Sequence, residues 1–450
     1  MLSAVEGRLR EANSGFAARY PGESGGRQPV HTVYGGAHLF KAETAARLGA
    51  LALRSLEQFA PGAQEFARAV GFGGEGAARG GPPRLAETVY ERVSEKLRRE
   101  PVEDFRIDFE DGYGNRPDAE EDGHAASAAA EVARALRAGT LPPFVGIRIK
   151  PFTEELRARS FRTLDIFVSA LVEQNGGGLP PNFVVTLPKI TTPAQVAALA
   201  DLFDLMEPRL GLAAGALRFE MMIETTQSII GPRGEINLPL LAEAARGRCA
   251  AAHFGTYDYT AACQITAAHQ HMLHPACDFA KHVMQVAFAG TGLWLSDGAT
   301  NIMPVAPHRA AEGRPLTPEQ ADENRRTVHR AWGLHYAHVR HSLAGGFYQG
   351  WDLHPAQLPT RYAAVYSFFL EGLDAASERL RNFVEKAAKA TLVGDVFDDA
   401  ATGQGLLNYF LRALNSGALA EEEALRLSGL TLDELRSGSF VKILDNRQNS

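Results

Sequence analysis

Residues 216–225 read ALRFEMMIET, and the parity of this stretch decides the architecture. In a strand the side chains alternate, so Arg218, Glu220, Met222 and Glu224 share one face while Phe219, Met221 and Ile223 share the other. The apolar face suits contact with a layer of helices. The charged face then lines a barrel interior, where unpaired charge is costly. Arg218 and Glu220 can neutralise each other. Glu224, at the end of the run, is beyond their reach and needs another partner; a metal ion is the natural one.

Seven further β-prone runs flank it: PVHTVYGG (29–36), DFRIDFED (104–111), FVGIRIK (144–150), NFVVTLPK (182–189), CAAAHFGTYD (249–258), LWLSDGATNIM (293–303) and GGFYQGWDLHP (345–355). Helical patterns separate most of them, at 42–58, 87–99, 119–138, 154–174, 192–206, 238–247, 277–288 and 317–343. Thr317 with Glu319 and Gln320 forms a capping-box start for the longest, and Thr431 with Glu434 forms another. Strands alternating with helices predict an α/β chain with a parallel sheet, and eight strands predict a (β/α)8 TIM barrel. Residues 1–355 are read as the barrel domain with an N-terminal helical extension. Residues 356–450 form an additional helical C-terminal region, a lid or oligomerisation surface with no barrel role.

Nearly every strand ends in polar residues: Asp108 to Asp111, Arg148 and Lys150, Lys189, Glu224, Asp258, Asp297, His354. TIM-barrel active sites are built at those ends. Arg148 and Lys150 are placed to point the same way. The guanidinium can take a substrate carboxylate bidentately, or both cations can pair with Asp108 or Glu110 next door. In HFGTYDYT (253–260), Gly255 allows close backbone approach to a ligand. Asp258 either stands beside Glu224 as a second carboxylate or caps the following helix. Two carboxylates suffice for Mg²⁺, which keeps waters and substrate oxygens.

Among the 450 residues, 46 are basic and 53 acidic, for a formal charge of −7, with no long basic run to bind nucleic acid. Cys249, Cys263 and Cys277 form neither an even disulfide set nor a zinc pattern. The first twenty residues lack a secretory apolar core, and no apolar run reaches membrane-spanning length. These readings together predict a cytoplasmic protein. GFGGEGAARGGPP (71–83) contains a literal GxGxxG, but a helical pattern precedes it and prolines follow, the wrong setting for a dinucleotide loop. His269, His271, His274 and His282 have transition-metal spacing without a supporting acid, which favours a solvated or packing role.

IDFEDGYG resembles the DLED segment of the citrate lyase β-subunit/malyl-CoA lyase family, also called the HpcH/HpaI aldolase family. GIRIKPF resembles its Arg-bearing RVNP strand, TLPKI its PKV strand, MIETTQSIIG its IETA element, FGTYDYT its GxxD element and GFYQGWDLHPAQL its closing signature. The order and spacing agree from about residue 29 to 360. The resemblance implies a phosphoenolpyruvate/pyruvate-type barrel and a metal-dependent carbon–carbon lyase acting on an α-keto acid or related carboxylate through an enolate. It implies Mg²⁺ (or Mn²⁺) on Glu224 and Asp258, and Arg148 on the substrate carboxylate with Lys150 beside it. Gly255 and Thr256 would offer amides to the same group. Glu110 and Asp111 are the acid/base candidates, with Asp297 behind them. His354 is read as orienting its neighbours rather than transferring protons. A malate-synthase-like condensation of a CoA thioester and a non-catalytic ligand-binding barrel are the alternatives, and homo-oligomerisation is expected. The chain departs from the family at Lys150, where Asn is common, at Gln349-Gly350-Trp351, and in the acidic loop 111–123. These departures favour a free keto acid or aldehyde over CoA.

Overall fold

All eight staves form where alternation places them. The computed structural model describes residues 2–22, 25–72, 83–310, 314–385, 391–393, 396–398 and 400–448; the second and third glycines of the GxGxxG, Gly73 and Gly76, lie outside them. In chain order the elements are α1 (Leu2–Arg19), β1 (His31–Gly36), α2 (Thr44–Phe59), α3 (Ala63–Val70), α4 (Pro83–Arg99), β2 (Asp104–Asp108), α5 (Asp118–Ala138), β3 (Phe144–Arg148), α6 (Arg157–Gln174), β4 (Phe183–Leu187), α7 (Pro193–Leu210), β5 (Phe219–Ile223), α8 (Thr226–Ile229), α9 (Leu238–Ala244), β6 (Cys249–Phe254), α10 (Thr256–Ala262), α11 (Pro275–Phe288), β7 (Trp294–Ala299), α12 (Pro318–Ala344), β8 (Gln349–Asp352) and α13 (Leu358–Glu371). After them come α14 (Leu373–Glu385), β9 (Thr391–Val393), β10 (Val396–Asp398), α15 (Ala400–Asn415), α16 (Glu421–Ser428), α17 (Leu432–Arg436) and α18 (Phe440–Gln448). Strands β1 to β8 close a barrel in sequence order, so the (β/α)8 expectation holds. Both predicted capping boxes form, Thr317 with Gln320 and Thr431 with Glu434.

The barrel interior is ionic where such barrels usually carry branched apolar side chains. Arg106 on β2 sits at its centre, donating from Nη1 to Asp104 (2.5 Å), from Nη2 to Glu220 (2.6 Å) and from Nε to Thr186 (3.0 Å). The predicted Arg218–Glu220 pair does not form. Arg218 precedes β5 and is exposed, its nearest acceptor the Cys249 carbonyl at 3.4 Å, while Glu220 takes Arg106 from across the barrel. Gly146 on β3 makes room for this guanidinium: a Cβ there would lie 2.1 Å from the Val184 carbonyl oxygen and 3.2 Å from Arg106 Nη1. Below, Thr32 donates to Asp104 (2.9 Å) and accepts from Gln349 (2.9 Å), and this layer is fully buried.

Outside the strands, Glu207 on α7 is locked by Arg248 (2.7 and 2.8 Å) and by the amides of Gly215 and Leu217. The Arg248 bond, reinforced by those amides, holds its carboxyl at about 2, against an ordinary 4.5. A depressed folded-state value means the stabilisation is complete above pH 4.5 and is lost as pH falls toward 2, up to about 3 kcal/mol. Urea unfolding from pH 6 to pH 2.5 should show Glu207→Gln less acid-sensitive than the parent.

Two units divide the chain: residues 29–280 with 295–371, and residues 1–28 with 281–294 and 372–450. The first contains the barrel and includes α13. That helix, read from the sequence as tail, is almost wholly buried there, from Leu358 to Ser367. The second is mainly helical and adds the antiparallel hairpin β9–β10, which the sequence reading does not contain. The loop expected at 111–123 is shorter than read, because α5 starts at Asp118. Asp118, Glu120 and Glu121 in its first turn complement the helix dipole. No described helix is long and apolar enough to cross a membrane.

Candidate functional site

At the C-terminal ends of β2 to β6 the chain brings Glu110, Asp111, Arg148, Lys189, Glu224 and Asp258 to one mouth. Arg148 ends β3, and Asp108 ends β2 directly beside it in register. Asp108 grips the guanidinium with two bonds, from Nε (2.7 Å) and Nη2 (2.5 Å). The Tyr34 ring covers it, with the guanidinium carbon 4.8 Å from the ring centre. What remains is Nη1, 3.1 Å from Glu110 Oε2 and 3.8 Å from Asp111. Arg148 is therefore clamped on two sides and turns its remaining edge to Glu110 at the mouth, so the salt-bridge reading holds.

Glu110 and Asp111 differ in state. Burial pushes the Glu110 carboxyl up, although Arg148 and Lys189 pull against it. Asp111 is shifted down despite partial burial, through its hydrogen bond with Glu110 and the charges of Arg148 and Lys189. Two neighbouring carboxyl groups pushed apart in this way are candidates for an acid/base pair.

Lys150 does not join them. Strand alternation ends at Arg148, and the Lys150 ammonium turns to the Phe109 carbonyl (2.6 Å) and Glu121 (2.9 Å), 5.2 Å from the Tyr113 ring centre. It ties the loop after β2 to α5. Asp297 also lies elsewhere: it accepts from Ser342 on α12 (2.6 Å) and so faces the helix layer. His354 caps the turn after β8, its Nδ1 accepting from the Ala356 amide at 3.1 Å, the orienting role its position suggests.

Glu224 follows β5 and is buried. It accepts a hydrogen bond from the Lys189 amide at 2.7 Å, and no side-chain cation among the described residues lies within ion-pair distance. Burial, then the nearby charge of Asp258, pushes its carboxyl up to about 8. Asp258 lies in the first turn of α10, behind Gly255 at the N-cap, and its Oδ2 is 3.5 Å from Lys189 Nζ. A buried, under-partnered carboxylate with a second beside it is a hard oxygen donor set that fits Mg²⁺. Among the described residues no cluster of three or more His, Cys, Asp or Glu is arranged to hold a metal, and His274 spends its Nδ1 on the Ala276 amide.

Gly255 earns its place sterically. A Cβ there would meet Glu224 Oε2 at 2.4 Å and Glu224 Cβ at 2.5 Å. Its amide is not available to a ligand, because it donates to the Ile223 carbonyl (3.0 Å) within the barrel ladder. Of the two amides expected for substrate, only that of Thr256, at the first position of α10, stays outside the helical ladder. Gly255→Ala should lower stability by about 1–3 kcal/mol through overpacking and weaken any Mg²⁺-dependent thermal shift. A variant as stable and as responsive as the parent refutes the close approach.

Lys189, Tyr34 and Asp108 were not singled out as site residues by the sequence reading. Lys189 follows Pro188 and adopts φ +50°, a region that L-residues rarely occupy. Its ammonium reaches Glu110 Oε1 (2.5 Å), Asp111 Oδ2 (3.2 Å) and Asp258 Oδ2 (3.5 Å). Burial alone would lower its proton affinity, but Glu224, Glu110 and Asp258 raise it. The signals for Lys189 were a charge at a strand end and its place in TLPKI, the segment that resembles the family's PKV strand; for Tyr34 the signal was inward parity on β1.

A family profile described as "Domain of unknown function (DUF6986)" matches residues 9–443. A search of curated proteins returned no match. Among solved structures, a citrate lyase from Burkholderia xenovorans LB400 is similar over 75% of this chain and 92% of its own, at 20% identity and a TM-score of 0.55. CitE from Mycobacterium tuberculosis, solved with magnesium, acetoacetate and coenzyme A, is similar over 76% of this chain and 95% of its own, at 16% identity and 0.44. Haloferax volcanii malate synthase, solved with glyoxylate, is similar over 90% of this chain and 96% of its own, at 14% identity and 0.44. The first likeness bears out the fold resemblance drawn from the motifs.

Proposed function

The chain belongs to the DUF6986 family, and from that premise and the chemistry of its barrel mouth we propose a metal-dependent carbon–carbon lyase acting on an α-keto acid or related carboxylate. One observation carries the reading. Arg148 turns its last edge, Nη1, to Glu110 (3.1 Å) beside Asp111, in the same mouth as the buried, under-partnered carboxylate of Glu224 with Asp258 nearby. The citrate lyase-like barrel supports it by fold.

Arg148 Nη1 would exchange Glu110 for the substrate carboxylate, with the guanidinium kept in place by Asp108 and Tyr34. In the cleavage direction a carboxylate of the Glu110–Asp111 pair takes the proton of the hydroxyl next to the breaking bond. The bond's electron pair passes to the keto-acid fragment as its enolate, and the proton then goes to the enolate carbon. Magnesium held by Glu224 and Asp258 would supply fixed positive charge for the enolate oxygen. An imine mechanism on Lys189 is disfavoured, since its carboxylate neighbours keep it an ammonium rather than a nucleophilic amine.

Thermal melts with Mg²⁺ and oxalate or pyruvate test this. A ligand at a hundred times its Kd adds about 2.7 kcal/mol, so a shift that needs both ion and acid is expected. Loss of the pyruvate methyl proton signal in D₂O should accompany it. A shift that also requires CoA selects the condensing reaction, and no shift with either ligand selects a non-catalytic barrel.

A further inference from the structure

Lys189 touches every acidic group of the mouth through one residue. Its amide donates to Glu224 (2.7 Å), and its ammonium lies 2.5 Å from Glu110, 3.2 Å from Asp111 and 3.5 Å from Asp258. The left-handed backbone at φ +50° makes this double use feasible, because it turns the amide toward β5 while the side chain runs back across the mouth. Such a conformation is strained for a non-glycine residue and persists where surrounding contacts enforce it. It occurs immediately beyond the end of β4, against the proposed metal ligands.

We propose that Lys189 is a built-in counter-ion that competes with the divalent cation for Asp258, and so sets how tightly the mouth binds metal. The inference rests on the metal reading above. In the metal-free protein the ammonium offsets part of the charge of Glu110, Asp111, Glu224 and Asp258. Loading a divalent ion on Glu224 and Asp258 requires Asp258 to give up its ammonium contact and places two cations side by side. Both effects weaken metal binding, so removing the ammonium strengthens it. A lysine with a merely structural role predicts the opposite sign, because disturbing the turn would misplace Glu224.

The test is calorimetric titration of MgCl₂ into the full chain as parent, Lys189→Met and Lys189→Arg. Lys189→Met is expected to bind at least tenfold tighter than the parent, with Lys189→Arg near the parent. Magnesium should also raise the melting temperature of Lys189→Met more than that of the parent. Equal or weaker binding by a folded Lys189→Met overturns the inference while leaving the metal reading intact. Heat from none of the three proteins overturns the metal reading, and the inference with it. If Lys189→Met does not fold, Lys189→Gln, uncharged and nearly as long, gives the same comparison.

Discussion

Glutamine in place of Glu224 should abolish the magnesium-dependent thermal shift and lower kcat/KM by about a thousandfold or more. The substitution keeps the shape and an oxygen for the Lys189 amide, and deletes only the charge. A charge that stabilises a developing oxyanion in a site shielded from water contributes several kcal/mol, and about 1.4 kcal/mol corresponds to each tenfold in rate. A second readout separates this from simple damage. The folded-state carboxyl, pushed up to about 8 chiefly by burial, lies above its ordinary 4.5. Stability without metal is then full below pH 4.5 and declines as pH rises through 8. Glu224→Gln lacks that decline and should melt above the metal-free parent at pH 9. Asp258→Asn, at a more exposed position, should weaken the magnesium response less. A Glu224→Gln protein with an undiminished magnesium shift would falsify the ligand assignment.

The staves were legible because alternation and strand-end polarity are local properties. Glu224 was legible for the same reason as a charge that ends a buried run. Partner choice was not legible. Arg218 and Glu220 are two residues apart on one face, yet Glu220 pairs with Arg106 from another stave, a match set by barrel closure rather than by spacing. Lys150 shares parity with Arg148 only while the strand lasts, and β3 stops at Arg148. Asp297 lies on β7, whose pairing with β8 shifts register between Ser296 and Ala299, so strand-end position did not reveal which layer it would face. Lys189 escaped because the residue after Pro188 leaves strand geometry altogether, and no periodic pattern anticipates a left-handed turn at a lysine.

Arg106→Met should destabilise the protein by about 3–5 kcal/mol, since removing one partner of a buried ionic set leaves the others uncompensated. Asp104 and Glu220 each hold one end of this guanidinium, and all three residues are buried at the centre of the barrel. Among the described residues, the two stranded carboxylates have Thr32, Thr186 and the neighbouring His253 left to answer them, the last 3.4 Å from Glu220. Protonation relieves that charge, so the gap between variant and parent should narrow on acidification, as measured by urea unfolding at pH 8 and pH 5. Neutralising the whole set, as Asp104→Asn, Arg106→Met and Glu220→Gln together, should recover much of the loss. Replacing a buried ionic set entirely is often close to neutral, whereas halving it is not. The ionic core would then be an arrangement that fixes which side chains meet beneath the mouth, with Tyr34 above it under Arg148, more than a source of net stability. A single Arg106→Met variant within about 1 kcal/mol of the parent, the level of an ordinary point substitution, would show that water or rearrangement already satisfies those carboxylates, and the sealed ionic centre would have to be abandoned.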